Sequence, residues 1–118
     1  MNPALGLAVG RLGIGATALL TPRLFARMTG LQPESNASVS YPTRLFGSRE
    51  ILMGAATLLT TGEVRRNLVG AGVAVDAADV LAALGSAVRG DVSKKSGAML
   101  ALPAGAAVAA GYAGLQNL

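Results

Sequence analysis

The stretch Leu68 to Val88, LVGAGVAVDAADVLAALGSAV, is long enough to cross a bilayer and yet carries two aspartates at its centre. At about 1.5 Å of rise per residue it makes a helix of about 30 Å, the thickness of a hydrocarbon core. Asp76 and Asp79 are three positions apart, so they share a face with Gly72 and Ala83, small residues that let another helix come close. An ionised side chain at that depth is costly unless it is paired. Any fold of this chain must therefore bring positive charge to the aspartate face.

The rest of the chain fits the same setting. Of its 118 residues 52% are hydrophobic and only 14% charged, and the mean hydropathy is +0.51, too apolar for an ordinary soluble domain of this size. Four spans of about 20 residues with short loops would use nearly all of it, so residues 1–118 read as a single integral membrane domain, an all-α four-helix transmembrane bundle. There is no Cys and no His. That excludes disulfides, thiolate or imidazole metal sites and a Ser-His-Asp triad, and no metal or cofactor is expected. The net charge of +4 and pI near 10.4 do not point to nucleic acid, because only four aromatic residues are present and the basic residues lie between apolar runs. The Ala, Gly and Val bias resembles that of a high-GC bacterium.

The first span is Pro3 to Leu20, ended by Thr21-Pro22 and interrupted only by Arg11. An arginine inside the apolar run, with no basic segment before it, argues against a cleaved signal peptide. Gly6 and Gly10 form a GxxxG, which suits tight helix packing. Pro22 to Met28 places Leu24, Phe25 and Met28 on one side and Arg23 and Arg27 on the other, the pattern of a short interfacial helix. A polar loop bounded by prolines, Leu31 to Pro42, leads to the second span, residues 45–61, with Arg49 and Glu50 inside it. These two neighbours point about 100° apart, and Glu50 shares its face with Gly47 and Gly54. A tight link over Gly62 to Asn67 precedes the aspartate span, residues 68–88. A basic loop, Arg89 to Lys95, follows it. The last span, residues 96–115, is free of charge, with Ala106, Ala110 and Gly114 at four-residue spacing and Pro103 inside. It reads as packing scaffold.

Four spans put the first and third loops on one side and both termini on the other. The first side holds Arg23, Arg27, Arg44, Arg89, Lys94 and Lys95, the second Arg65 and Arg66. The positive-inside rule then predicts a multi-pass protein of the plasma (inner) membrane with both termini extracytoplasmic. Counting depth at about 1.5 Å per residue puts Glu50, Asp79, Arg11 and Asp76 between about 9 and 18 Å from the cytoplasmic ends, with Arg49 just below them and able to reach up. Five unpaired charges in one layer would be hard to accommodate. The expected network pairs Arg11 with Asp76 or Asp79, and Arg49 with Asp79 or Glu50. Two arginines against three carboxylates leave one negative charge in excess, so either one carboxylic acid holds its proton or a cationic group sits there.

The order PxLFAxxxGL, polar loop, RLFGSREILMGAATL and a later aspartate-centred helix resembles a family of small four-helix membrane proteins of unknown function, distantly similar to DoxX-like proteins. Arg44, Gly47, Arg49, Glu50 and Gly54, with Asp76 or Asp79, carry the resemblance. It implies a four-helix bundle and no established reaction. DoxX-like relatives are associated with quinone or thiol redox complexes, chemistry for which this chain has no Cys or His.

Three functions compete. The first is a small membrane accessory or assembly protein, a homo-oligomer or a part of a larger membrane complex, in which the charges fix helix register. The second is a binder or carrier of a small lipophilic or cationic molecule, coupled to protons, with Arg49, Glu50, Asp76 and Asp79 lining its site. The third is an intramembrane acid-base enzyme with Asp79 or Glu50 as base and Arg49 as electrostatic stabiliser.

Overall fold

The structure is a computed structural model that describes residues 1–118. It contains helices, turns and no strand. Helix α1 (Pro3–Leu20) is opened by Asn2, whose side chain accepts from the Ala4 N–H at 2.8 Å, with Pro3 in the first turn where its missing N–H loses nothing. Thr21-Pro22 breaks it, and the chain turns into the short helix α2 (Pro22–Met28). After a loop and one 3-10 turn at Ala37–Val39 comes α3 (Ser40–Leu59). Then follow α4 (Gly62–Arg89), closed by Gly90 in the left-handed region at φ 81°, and α5 (Lys94–Leu115), opened by the Ser93 hydroxyl accepting from the Ser96 N–H.

Three expected boundaries are corrected. Helix α3 begins at Ser40, five residues before Leu45, because the 3-10 turn runs straight into it and Pro42 sits in the first turn, where proline is tolerated. The expected link Gly62 to Asn67 is the first part of α4, leaving only Thr60 and Thr61 between the two helices. Arg65 accounts for this: from the start of α4 it folds back and donates to the last carbonyls of α3, Nε to Thr57 at 2.9 Å and Nη2 to Leu58 at 3.2 Å. Helix α5 starts two residues early, at Lys94, on its serine cap.

Helices α1, α4 and α5 are long and apolar enough to cross a membrane. The four-span expectation is met by three helices on composition. The fourth long helix, α3, carries Arg44, Arg49 and Glu50 within 20 residues.

Burial is inverted relative to a soluble bundle. The buried apolar residues are Ala4, Ala8, Ala18, Ala26, Val69 and Ala83, and the buried polar ones include Arg11, Glu50 and Asp76. Large apolar side chains, among them Ile14, Leu52, Leu59, Leu81, Val88 and Leu102, face outward. Water would drive the leucines in; a hydrocarbon surround leaves them outside and rewards close backbone packing. Helix α1 lies mainly on α3, and α4 on α5, with lesser contact between α1 and α5 and between α3 and α4. The α1–α3 crossing is tight at Gly15 and Gly47, where a Cβ on either would stand 2.7 Å from the other's carbonyl oxygen. The Gly6–Gly10 pair lies elsewhere: both residues are exposed, and nothing stands within 4 Å of where a Gly10 Cβ would be. The buried stripe of α1 runs instead through Ala4, Ala8, Arg11, Gly15 and Ala18.

The two ends differ. At one, the Ser96 hydroxyl donates to the Thr29 carbonyl at 2.8 Å, joining the α2–α3 connection to the start of α5. At the other, Asn2 donates to the Gly114 carbonyl at 3.1 Å and Arg66 to the Leu115 carbonyl at 2.7 Å. The first end gathers Arg23, Arg27, Arg44, Arg89, Lys94 and Lys95 against Glu34 and Asp91; the second has Arg65 and Arg66 against Glu63. On the first end Arg27 Nε donates to Glu34 at 2.5 Å. The Glu34 carboxyl is held below its usual range, first by its own backbone N–H and then by Arg27.

Candidate functional site

All five residues singled out in the sequence meet in one layer. Arg11 reaches it from the buried stripe of α1, Arg49 and Glu50 from the middle of α3, and Asp76 and Asp79 from α4. Arg11 is bidentate on Asp76, Nη1 donating to Oδ1 at 3.1 Å and Nη2 to Oδ2 at 2.5 Å, and its Nη1 also donates to Glu50 Oε2 at 2.9 Å. Arg49 is bidentate on Asp79, Nη2 to Oδ2 at 2.6 Å and Nη1 to Oδ1 at 3.3 Å. A longer contact of 3.4 Å joins Arg49 Nη2 to Glu50 Oε1. Glu50 therefore bridges two forked pairs into one network across three helices.

Local sequence makes room for this. On α4 the buried face is Val69, Gly72, Asp76 and Ala83. A Cβ on Gly72 would come within 3.1 Å of Arg11 Nη2, so the glycine one turn before Asp76 clears the path of the guanidinium. On α3, Glu50 is flanked along the same buried stripe by Gly47 and Gly54, which bring α1 close enough for Arg11 to reach it. The planar fork of arginine matches a carboxylate at both oxygens, a geometry that lysine does not reproduce.

The two halves differ in surroundings. Arg11, Glu50 and Asp76 side chains are 7%, 5% and 4% exposed, whereas Arg49 and Asp79 are 36% and 31% exposed. The Arg49 guanidinium stands 5.1 Å from the centre of the Phe46 ring, which packs on Phe25 at 5.5 Å, so an aromatic pair from α2 and α3 supports the outer arginine. The Arg49 Nε–H is buried without an acceptor. Beside Arg11, towards the chain termini, lies a cavity of about 10 Å³ lined by Ala8, Met53, Thr57 and Gly72 among others, room for one water molecule.

This difference predicts an order of effects. Asp76→Ala strips the enclosed Arg11 of its forked partner and is expected to cost about 3 to 5 kcal/mol, the range for breaking a buried pair. Asp79→Ala leaves Arg49 with Glu50, the Phe46 face and partial exposure, and is expected to cost about 1 kcal/mol or less where the site is wet. Thermal midpoints of the two variants in one detergent check the order.

Sequence reasoning left the partner choice open between Asp76 and Asp79, and it did not identify Phe46 as the support of Arg49. The signal for Phe46 was its position three residues before Arg49 on the same helix face.

Fold and site together define an all-helical protein with three helices long and apolar enough to span a membrane, built around a buried arginine–carboxylate network. No family model, curated protein or solved structure matches the chain.

Proposed function

We propose that this is a small multi-pass membrane accessory or assembly protein, and that its ionic layer sets the register and orientation of α1, α3 and α4. The observation that carries this reading is the enclosure of the inner half of the network: Arg11 is hydrogen-bonded to both Glu50 and Asp76, and the adjoining cavity of about 10 Å³ admits no organic ligand. A carrier or an intramembrane enzyme would need a substrate-sized space beside the carboxylates. In this reading α3 is the fourth span, its charges covered by α1 and α4, as the resemblance to small DoxX-like bundles also implies. The basic end, with Arg23, Arg27, Arg44, Arg89, Lys94 and Lys95, faces the cytoplasm, and both termini lie outside. Outward Leu, Ile and Val side chains meet lipid or the helices of a partner, a second copy or a larger complex.

Native mass spectrometry of the protein, gently extracted from its own membrane, tests this. Wild type is expected as an oligomer or with a partner subunit, and Asp79→Asn as a protein of reduced assembly. A small organic molecule retained by the wild type and lost in Asp79→Asn, with oligomeric state unchanged, would replace this reading with that of a binder or carrier.

A further inference from the structure

At the basic end, the elbow between α1 and α2 and the first turn of α3 enclose an open groove of about 420 Å³. Arg23 and Arg44 line it with Thr21 and Ser40, and Leu20 and Leu24 form its apolar shoulder. Arg11, Arg27, Arg49, Arg65 and Arg66 all donate to a carboxylate or a carbonyl within the chain. Arg23 and Arg44 belong to no such pair, and they come from separate helices to one groove. Glu34 is the carboxylate near enough to feel Arg23, but its charge is met by Arg27 at 2.5 Å. The groove therefore keeps two guanidinium groups with no hydrogen-bonded carboxylate or carbonyl partner.

We propose that this groove binds a phosphate-bearing anion, and that the anion is the headgroup of an anionic phospholipid. Guanidinium forks match phosphate oxygens two at a time, and the Ser40 hydroxyl lines the groove beside them as a further donor, while the Thr21 hydroxyl already donates to the Thr17 carbonyl at 2.7 Å. The lipid source follows from the shoulder. Leu20 is 77% and Leu24 47% exposed, and Leu45, one residue past Arg44, is 52% exposed, so a headgroup held by the arginines lays its acyl chains against the outward apolar faces of α1 and α3. This rests on the reading of the chain as a membrane protein.

The test uses full-length protein reconstituted in nanodiscs of mixed phosphatidylglycerol and phosphatidylcholine, released into native mass spectrometry. Wild type is expected to retain phosphatidylglycerol in preference to phosphatidylcholine. Arg23→Gln with Arg44→Gln is expected to lose that preference by about tenfold or more, the scale of two charge-assisted contacts. The pair Arg89→Gln with Lys94→Gln, on the same end but outside the groove, is expected to keep it. Equal loss in both double variants would show diffuse attraction to the basic end and overturn the site. Displacement of the retained lipid by inorganic phosphate alone, with no preference between lipids of equal charge and different chains, would assign the groove to the free anion and overturn the lipid assignment. A protein that stays dispersed without detergent or nanodisc would overturn the membrane reading itself. A monomer that still prefers phosphatidylglycerol would overturn only the assembly reading.

Discussion

Replacing Arg11 by Met is expected to remove a large share of the stability of the bundle. Arg11 is the only cation in contact with Asp76, and it shares Glu50 with Arg49 at the shorter distance, 2.9 Å against 3.4 Å. Methionine fills much of the same volume, so the loss is electrostatic: Asp76 is left with no cation, and Glu50 with only its 3.4 Å contact to Arg49, in a site that is about 95% enclosed. Breaking a buried pair from one side costs about 3 to 5 kcal/mol, against a total stability of about 5 to 15 kcal/mol for ordinary domains. Heat denaturation or protease resistance in detergent is expected to show a sharply lowered midpoint for Arg11→Met. The triple variant Arg11→Met, Glu50→Gln, Asp76→Asn removes the stranded charges as well and is expected to recover much of the loss. A single variant with the wild-type midpoint would show that the network does not hold the fold.

The second large effect is steric. Gly47→Ala places a methyl group 2.7 Å from the Gly15 carbonyl oxygen and 2.7 Å from the Leu19 backbone nitrogen. Both are main-chain atoms inside a helix, so neither can move alone, and α1 and α3 must part along their main contact. Overpacking of this kind costs about 1 to 3 kcal/mol. Here the separation also stretches the Arg11–Glu50 contact, which lies about one turn further along both helices. Gly10→Ala is the matched comparison. With open space around its position it is expected to leave stability unchanged or raise it by up to about 1 kcal/mol through helix propensity. Thermal midpoints of the two alanine variants decide between them, and equal midpoints would remove the close α1–α3 crossing from the account.

What the sequence revealed and what it hid have separate physical causes. Charge is costly in an apolar run, so Arg11, Arg49, Glu50, Asp76 and Asp79 stand out, and simple depth counting puts them at one level. Their pairing was not legible, because Asp76 and Asp79 are less than one turn apart and either is within reach of a long arginine. The choice depends on Gly72, whose missing side chain admits Arg11 beside Asp76. Helix packing was harder still. Gly6-x-x-x-Gly10 has the spacing of a contact motif and faces outward, while Gly15 and Gly47, in no shared motif, meet across helices 32 positions apart in sequence. Small residues permit close approach without saying which neighbour comes. The early start of α3 and the extended start of α4 depend on a 3-10 turn and on Arg65 capping another helix, and neither has a periodic signature.

The network also sets a timetable for synthesis. Arg11 pairs with residues 39 and 65 positions later in the chain. At about 5 to 20 residues per second, Arg11 is made about 3 to 13 seconds before Asp76 exists to receive it. A lone arginine in the middle of an apolar helix is a poor candidate to enter lipid during that wait. In the proposed membrane reading, the first span therefore has to linger at the insertion machinery, or remain near the water boundary, until α3 and α4 arrive. In that reading, leaving for the bilayer becomes an event shared by several helices, with Asp76 acting as the signal for release.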